Sequence, residues 1–170
     1  EGFAAKMGRL QHQLTEKDVT VSNIARYFEE VVADLTEKSH RDPKTKLLNF
    51  DWFMERLESF LAVEQRVRWC GVGVVDINSF KYYNDTLGHS TGDLLLKSVA
   101  QRLKACVRGS DSVCRKGGDE FLVLLAEITH AEHAARSAEK IIAAVTAAQR
   151  IAGQELTVTA SIGIGIYPRD

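Results

Sequence analysis

Two adjacent glycines followed by two carboxylates are the residues of this chain whose types and spacing could most directly do chemistry. They are Gly117, Gly118, Asp119 and Glu120, and the apolar run 121–125 follows at once. Glycine accepts the positive φ of a tight turn and lets a ligand approach the backbone. Carboxylates held at such a turn by an apolar strand suit a hard cation such as Mg²⁺. The run indicates a metal and phosphate site at a β-hairpin tip, although taken alone it more often marks a solvated acidic turn.

A further acidic group follows a short β-branched run upstream. Residues 72–75 are typical of a buried strand, and Asp76 comes at its end, a common way to place a metal ligand at a sheet edge. Lys81 follows in the next loop, where its point charge suits phosphate. If the glycine hairpin pairs beside this strand, Asp76 converges with Asp119 and Glu120. Such a group around one or two Mg²⁺ ions and a triphosphate suits in-line attack at phosphorus.

Composition narrows the possible partners of the chain. Its 170 residues are 45% hydrophobic, enough for one compact domain plus an extension. With 22 Lys and Arg against 23 Asp and Glu and no basic stripe, nucleic acid is not expected as a partner. No apolar run approaches the roughly 18 residues of a membrane helix, and no signal-peptide pattern appears. Cys70, Cys106 and Cys114 lack metal or redox spacing, which predicts reduced thiols and a cytoplasmic protein.

The chain is expected to divide near residue 41. Before that point, apolar residues recur at alternating spacings of four and three, which predicts a parallel two-stranded coiled coil over 1–41. This heptad seam consists of Phe3, Met7, Leu10, Leu14, Lys17, Val21, Ile24, Phe28, Val31 and Leu35. The alternative is one amphipathic helix packed on its own domain. Residues 19–22 are poor helix formers, so the helix is expected to loosen there. The abrupt start suggests a longer protein upstream.

From residue 42 the hydrophobic pattern predicts alternating helices and short strands. The expected elements are a helix over 49–64, a strand near 69–77, a short helix over 79–86, a helix over 91–107, a hairpin over 112–127, a helix over 130–151 and a strand near 156–166. This order predicts an α+β fold with a central sheet that contains antiparallel strands, and with helices packed on it.

Several motifs in sequence order resemble the GGDEF domains of bacterial diguanylate cyclases. They are Asp42-Pro43-Lys44-Thr45-Lys46-Leu47-Leu48-Asn49, Asp76-Ile77-Asn78-Ser79-Phe80-Lys81, Asn84-Asp85, Gly88-His89, Gly92-Asp93, Arg115-Lys116-Gly117-Gly118-Asp119-Glu120-Phe121 and Ala160-Ser161-Ile162-Gly163-Ile164-Gly165. The resemblance covers residues 42–170 and implies a palm-like βαββαβ core, as in class III nucleotide cyclases, preceded by the N-terminal coiled-coil helix. It implies an enzyme that condenses two GTP molecules into cyclic di-GMP and two pyrophosphates.

The resemblance also implies roles for individual residues around the metal and the phosphates. Asp76, the carbonyl of Ile77, Asp119 and Glu120 would hold Mg²⁺, with Mn²⁺ as a substitute. Asp119 or Glu120, more readily Asp119, would help deprotonate the attacking ribose 3′-hydroxyl, and the choice between them stays open. Contacts with the phosphates or another part of the substrate are implied for four further residues, Ser79, Phe80, Lys81 and Gly118.

Guanine recognition is implied for Asn84 and Asp93. A carboxylate accepts from the N1–H and 2-amino groups of guanine, and a mismatched base leaves polar groups unpaired. His89 lies in the same region, as either a ligand contact or a structural histidine. An inhibitory site for the product cyclic di-GMP is implied at Arg108 and Asp111, where an arginine fork and a carboxylate would meet guanine and phosphate.

The reaction needs two GTP molecules, so the resemblance implies a homodimer, which the heptad seam could set. An upstream sensor domain is also expected.

Several positions of the opening segment depart from the family pattern. Lys44 stands where leucine is usual, Lys46 where glycine is usual, and Phe50-Asp51 where two arginines are common, which puts the usual packing of this segment in doubt. The family's final helix does not follow Asp170, and weaker triphosphate binding is expected. The alternatives are a catalytically silent module that binds GTP or cyclic di-GMP as a sensor or interaction domain, and a scaffold dominated by its coiled coil.

Overall fold

The computed structural model describes residues 3–62 and 69–170. The chain divides into two compact units, Glu1–Ser39 and His40–Asp170. Within the described ranges, no helix combines the length and the apolar character that crossing a membrane requires. The last residues of the helix predicted over 49–64, beyond position 62, lie outside the described part of the chain.

The first unit is one helix, α1 (Phe3–Ser39). It continues without interruption through residues 19–22, so the predicted loosening there is wrong. Of the apolar seam residues whose side chains are described, Val31 is half-buried, and the others are about half exposed or more: Met7, Val21, Ile24, Phe28 and Leu35. Apolar side chains at this spacing form the stripe that a partner helix covers in a coiled coil. The coiled coil itself stays a prediction.

The second unit contains the remaining helices and strands. In chain order they are α2 (Phe50–Leu61), β1 (Cys70–Ile77), α3 (Phe80–Leu87), α4 (His89–Cys106), β2 (Ser112–Gly117), β3 (Glu120–Leu125), α5 (Ala131–Thr146), β4 (Gln149–Ile151), β5 (Gln154–Leu156) and β6 (Ala160–Tyr167). Four strands form an antiparallel sheet in the order β2-β3-β1-β6. This arrangement confirms the predicted α+β fold and its βαββαβ core.

Helices cover both faces of this sheet. One core combines residues of α3, α4 and α5 with Val75 and Ile77 of β1 and with Phe121, Val123 and Leu125 of β3. A second core, on the other face, packs Phe53 of α2 against Leu122 and Leu124 of β3 and against Cys70 and Cys114. Because successive strand residues point to opposite faces, a strand buried on both sides is apolar throughout. This explains the unbroken run 121–125.

The predicted helix over 130–151 is too long. Helix α5 ends at Thr146, where Ala147 leaves the helical region with φ −58° and ψ 139°. A small hairpin, β4–β5, follows instead, and its turn places Ala152 and Gly153 at positive φ. The alanine-rich stretch before it has helix-forming composition, which hides this boundary. The predicted core placement of Cys70 and Cys114 is confirmed, since both are buried, and all three thiols are free.

Candidate active site

The strand pair β1–β3 brings together the acidic residues predicted to meet. Asp76 is the direct antiparallel partner of Glu120. The N–H of Ile77 donates to the carbonyl oxygen of Asp119 at 3.3 Å. Direct partners point to the same face of a sheet, with Cβ atoms about 5 Å apart. Asp76 alternates with Val75 and Ile77, so its side chain points away from the core that these two residues fill.

The environment of Asp76 opposes its ionisation. Burial is the largest cause, and the negative charges of Asp119 and Glu120 add to it, so the pKa of Asp76 is raised above its usual value. Like charges that raise a carboxyl pKa are a mark of functional acidic sites. The raised pKa agrees with the convergence of Asp76, Asp119 and Glu120.

The glycine turn is required by backbone conformation. Gly117 has φ +155° and Gly118 has φ +54°, with a register shift between Arg115 and Gly117. A Cβ added at either glycine would meet nothing within 4 Å, so packing does not demand the absence of a side chain. The open space at the turn leaves the backbone accessible beside the two carboxylates.

Arg115 links the hairpin tip to the segment that opens the second unit. Its Nε and Nη2 donate to the carbonyl oxygen of Gly118 at 3.0 and 2.7 Å. Its Nη1 lies 3.3 Å from Oδ2 of Asp42, and both side chains are largely buried. The Gly118 carbonyl is therefore engaged, and Gly118 would offer a ligand its N–H.

Asp42 also organises residues 42–47, here named the opening turn. Its Oδ1 accepts from the N–H and the hydroxyl of Thr45 at 2.7 and 2.6 Å. Burial acts to raise the pKa of Asp42, but the hydrogen bonds from Thr45 and the charge of Arg115 outweigh it, and the pKa is lowered. Sequence reasoning missed this role, although an Asp three residues before a Thr is a local signal for such a turn.

The opening turn forms despite its unusual residues. Lys46 adopts φ +60°, a left-handed conformation that suits glycine better. Backbone bonds from Asp42 N–H to the Leu47 carbonyl and from Lys46 N–H to the Asp42 carbonyl close the turn at 2.9 Å each. Leu47 and Leu48 then enter the core.

Glu120 is engaged by a lysine on the neighbouring strand. Lys116 Nζ lies 3.0 Å from Glu120 Oε2, and both side chains are over 40% exposed.

The described acidic side chains are not arranged as a formed metal site. Among residues 3–62 and 69–170, no group of three or more His, Cys, Asp and Glu side chains is arranged so that it could hold a metal ion. The donors are of the hard oxygen type that Mg²⁺ prefers. Glu120 would have to exchange Lys116 for a metal ion.

The start of α3 leaves donors available. Ser79, its N-cap, has φ +57° and makes no side-chain capping bond. The first N–H groups of a helix lack internal partners and favour anions. Lys81 is exposed in the first turn, whereas the Phe80 side chain is buried in the core, so Phe80 can offer a ligand its backbone only.

The predicted guanine-reading residues lie where α3 meets α4. The amide of Asn84 packs so closely on Gly92 that a Cβ there would come within 2.9 Å of Asn84 Cγ. Asp93 follows Gly92, and its Oδ1 accepts from Lys44 Nζ at 2.6 Å. His89 is exposed at the first position of α4. Lys44 is a polar neighbour of this region that the sequence did not predict.

Arg108 and Asp111 lie at the far end of β2 from the hairpin tip. A six-residue strand separates the two places by about 17 Å. The carboxylate of Asp111 accepts two backbone hydrogen bonds. The Arg108 N–H donates to Oδ2 at 2.9 Å, and the Ala126 N–H donates to Oδ1 at 3.0 Å. Both residues line a cavity of about 300 Å³ together with the basic side chains of Arg136 and Lys140. The two predicted residues are adjacent, and the carboxylate of Asp111 also holds its loop.

Comparison of the sequence with models of known protein families identifies the family of this chain. Residues 39–170 match the family model described as diguanylate cyclase, GGDEF domain. The chain belongs to the GGDEF family. Similar curated proteins include two from Pseudomonas aeruginosa. Bifunctional diguanylate cyclase/cyclic di-GMP phosphodiesterase MucR is 41% identical over 81% of this chain and 20% of its own length. Diguanylate cyclase TpbB is 40% identical over 80% of this chain and 32% of its own length.

Solved structures of GGDEF domains share the fold. The isolated GGDEF domain of TpbB has a TM-score of 0.72 and 38% identity, covering 76% of each chain. The GGDEF domain of DgcB from Caulobacter crescentus, solved in complex with c-di-GMP, has a TM-score of 0.69 and 28% identity, covering 75% of this chain and 77% of its own. The chain spans about a fifth to a third of the length of MucR and TpbB.

Proposed function

We propose that this chain is the catalytic GGDEF unit of a diguanylate cyclase, which condenses two GTP molecules into cyclic di-GMP and two pyrophosphates. The observation that carries the proposal is the pairing of Asp76 with Glu120 beside the glycine turn, in a family whose named relatives include diguanylate cyclases. Each 3′-hydroxyl attacks the α-phosphorus of the other GTP. A new P–O bond forms as the bond to the β-phosphate oxygen breaks, and the hydroxyl proton passes to a carboxylate.

The metal would be held by oxygen ligands from the paired strands. Asp76, the carbonyl of Ile77, Asp119 and Glu120 are the donors for Mg²⁺, with Mn²⁺ as a substitute. The raised pKa of Asp76 supports this assignment, because burial and the charges of Asp119 and Glu120 oppose its ionisation in the absence of a cation. A divalent cation bound between these carboxylates would offset that repulsion and favour the ionised form of Asp76. When bound, Mg²⁺ stabilises negative charge on the phosphates. Asp119 is favoured as the proton acceptor, with Glu120 as the alternative.

The remaining site residues would orient the nucleotide. Lys81 and the N–H groups of Ser79, Phe80 and Gly118 would contact the phosphates. In the guanine region, Asn84 and Asp93 would read the base edge, with His89 beside them. The exposed Lys81 and the uncapped start of α3 support the phosphate role.

Two copies of the chain are needed, since each 3′-hydroxyl must reach a GTP on another protomer. The exposed seam of α1 supports a homodimer held by paired helices, which an upstream sensor could adjust. A chain beginning at residue 41 should then turn over in a concentration-dependent manner. Full, concentration-independent turnover by that shorter chain would remove the role of α1.

Product inhibition is proposed at Arg108 and Asp111, in the cavity that they line together with Arg136 and Lys140. The DgcB domain solved in complex with c-di-GMP supports product binding by this fold. A cytoplasmic location is proposed from the use of GTP and from the three free thiols.

A second candidate function is a silent GGDEF module that binds GTP or cyclic di-GMP without turnover. The ion pair between Lys116 and Glu120 favours it, because it occupies one proposed metal ligand.

Product analysis after incubation with GTP and Mg²⁺, with ATP as a competitor, tests both functions. The cyclase predicts cyclic di-GMP and pyrophosphate, unaffected by ATP, and no product from the variant that combines Asp119→Ala and Glu120→Ala. Binding of GTP with no release of pyrophosphate would contradict the cyclase and support the silent module.

A further inference from the structure

Lys44 and Asp93 form an ion pair between distant parts of the sequence. Lys44 Nζ lies 2.6 Å from Asp93 Oδ1, with side chains 48% and 40% exposed. An ion pair this exposed contributes little to folding stability. Asp93 directly follows Gly92, on which the Asn84 amide packs, so the pair lies in the region proposed for guanine and is better explained by a role there than by stability.

The backbone holds Lys44 in place. It stands inside the opening turn, between Asp42 and Thr45, whose side chains are bonded to each other. Arg115 fixes Asp42 in turn. A lysine carried by a braced turn delivers its ammonium to a narrower region than one carried by a mobile loop.

The hydrogen-bonding capacity of Asp93 is not exhausted by this contact. Lys44 donates to Oδ1. An ionised carboxylate has about four acceptor positions on its two oxygens, so Asp93 can still accept two N–H groups of a base. On the edge of guanine, N1–H lies between the acceptor O6 on one side and the 2-amino donor on the other. If N1–H donates to Oδ1 of Asp93 and the 2-amino group to Oδ2, O6 lies next to the ammonium that contacts Oδ1.

We propose that Lys44 is a specificity-determining residue of the nucleotide site, donating to guanine O6 while Asp93 accepts from N1–H and the 2-amino group. The proposal rests on the function proposed above, because it takes GTP as the ligand. Adenine would set a 6-amino donor against the ammonium and an unprotonated N1 against the carboxylate. Both mismatches penalise ATP, since each leaves a polar group unpaired.

Equilibrium binding of unreactive nucleotides tests this without relying on turnover. Calorimetry would measure α,β-methylene analogues of GTP, of 6-thio-GTP and of ATP on the 170-residue chain and its variants, with Mg²⁺ present. Lys44→Met should weaken the GTP analogue about tenfold, the loss of one charge-assisted hydrogen bond. It should strengthen binding of the ATP analogue slightly, because the ammonium no longer faces the 6-amino donor of adenine. Lys44→Arg should restore most of the affinity, because it keeps a donor.

The 6-thio analogue isolates the O6 contact. Sulfur is a weak acceptor, so wild-type protein should bind 6-thio-GTP more weakly than GTP, and Lys44→Met should reduce that difference. Lys104→Met is the matched control, since it removes one exposed charge from the last turn of α4, about 16 Å along the helix from Asp93. It should bind all three analogues as wild type does.

Four results would overturn the proposal. If Lys44→Met binds the GTP analogue as tightly as wild type does, the ion pair is incidental to nucleotide binding. If it binds more tightly, Lys44 competes with the base for Asp93. Equal weakening of the GTP and ATP analogues would show a general attraction to the triphosphate. Wild-type protein that binds no GTP analogue would overturn the proposed function together with this inference, whereas the first three results leave the proposed function intact.

Discussion

Asp76 of β1 and Glu120 of β3 are direct partners across an antiparallel pair of strands, so their carboxylates share one face of the sheet. A buried core of alternating residues holds both strands, which fixes the register that brings the two acids together. Burial, followed by the charges of Asp119 and Glu120, raises the pKa of Asp76. The site therefore places acidic groups together at a cost to the stability of the fold.

Replacing Asp76 with asparagine should stabilise the metal-free protein at neutral pH. The folded pKa lies above the usual 3.8, so the folded state binds more protons than the unfolded state between these two values. The wild type therefore loses stability as pH rises through that window, and Asp76→Asn does not. Melting temperatures with a chelator present, compared at pH 7 and below pH 4, should show the gain at pH 7 only.

Asp85→Asn is the control for Asp76→Asn, because Asp85 is exposed on α3. It should melt as wild type does at both pH values. A gain for Asp76→Asn that is equally large below pH 4 would contradict an ionisation cost and point to packing instead.

Removing the Arg115 guanidinium should loosen the hairpin tip. Arg115→Met loses the bonds to the Gly118 carbonyl and leaves Asp42 largely buried without its cation. The expected loss in the free energy of unfolding is about 2–3 kcal/mol, measured by urea denaturation. Arg150→Met, on an exposed strand residue, should stay within about 0.5 kcal/mol. An Arg115→Met variant as stable as the control would show that the network adds nothing to the fold.

A methyl group at Gly92 should displace Asn84. The added Cβ would come within 2.9 Å of Asn84 Cγ and 3.4 Å of the Phe80 ring, so Gly92→Ala must move the amide. We expect a loss of about 1–3 kcal/mol in stability and clearly weaker GTP binding by calorimetry. Gly109→Ala is the matched control, because its Cβ meets nothing within 4 Å. Equal GTP affinity in the two variants would remove Asn84 from the nucleotide site.

Much of the site could be predicted from the sequence because local signals specify it. The glycine pair predicts the turn, and an acidic residue at the end of a β-branched run predicts the position of Asp76. The pairing of these two elements was a condition of the prediction, and the structure supplies it through β1 and β3. The hairpin over 149–156 was missed because alanine-rich sequence before it favours a helix.

Long-range side-chain pairs could not be predicted from local patterns. Arg115 and Asp42 are 73 residues apart in sequence, and Lys44 and Asp93 are 49 apart. Neither pair has a periodicity or a spacing that signals it, and each forms only once the core has brought its elements together. Lys116, which engages Glu120, looks like any exposed strand lysine in the sequence.

Arg108 and Asp111 should separate in their effects, because only Asp111 holds the backbone of its loop. Its carboxylate accepts from the N–H groups of Arg108 and Ala126, so Asp111→Ala should lower stability by about 1–2 kcal/mol. Arg108→Ala should melt as wild type does and raise the cyclic di-GMP concentration needed for half-inhibition by about tenfold. Melting curves and pyrophosphate release at increasing product measure the two effects. If inhibition of Arg108→Ala matches wild type, the product binds elsewhere; if Asp111→Ala melts as wild type does, its backbone bonds are unimportant.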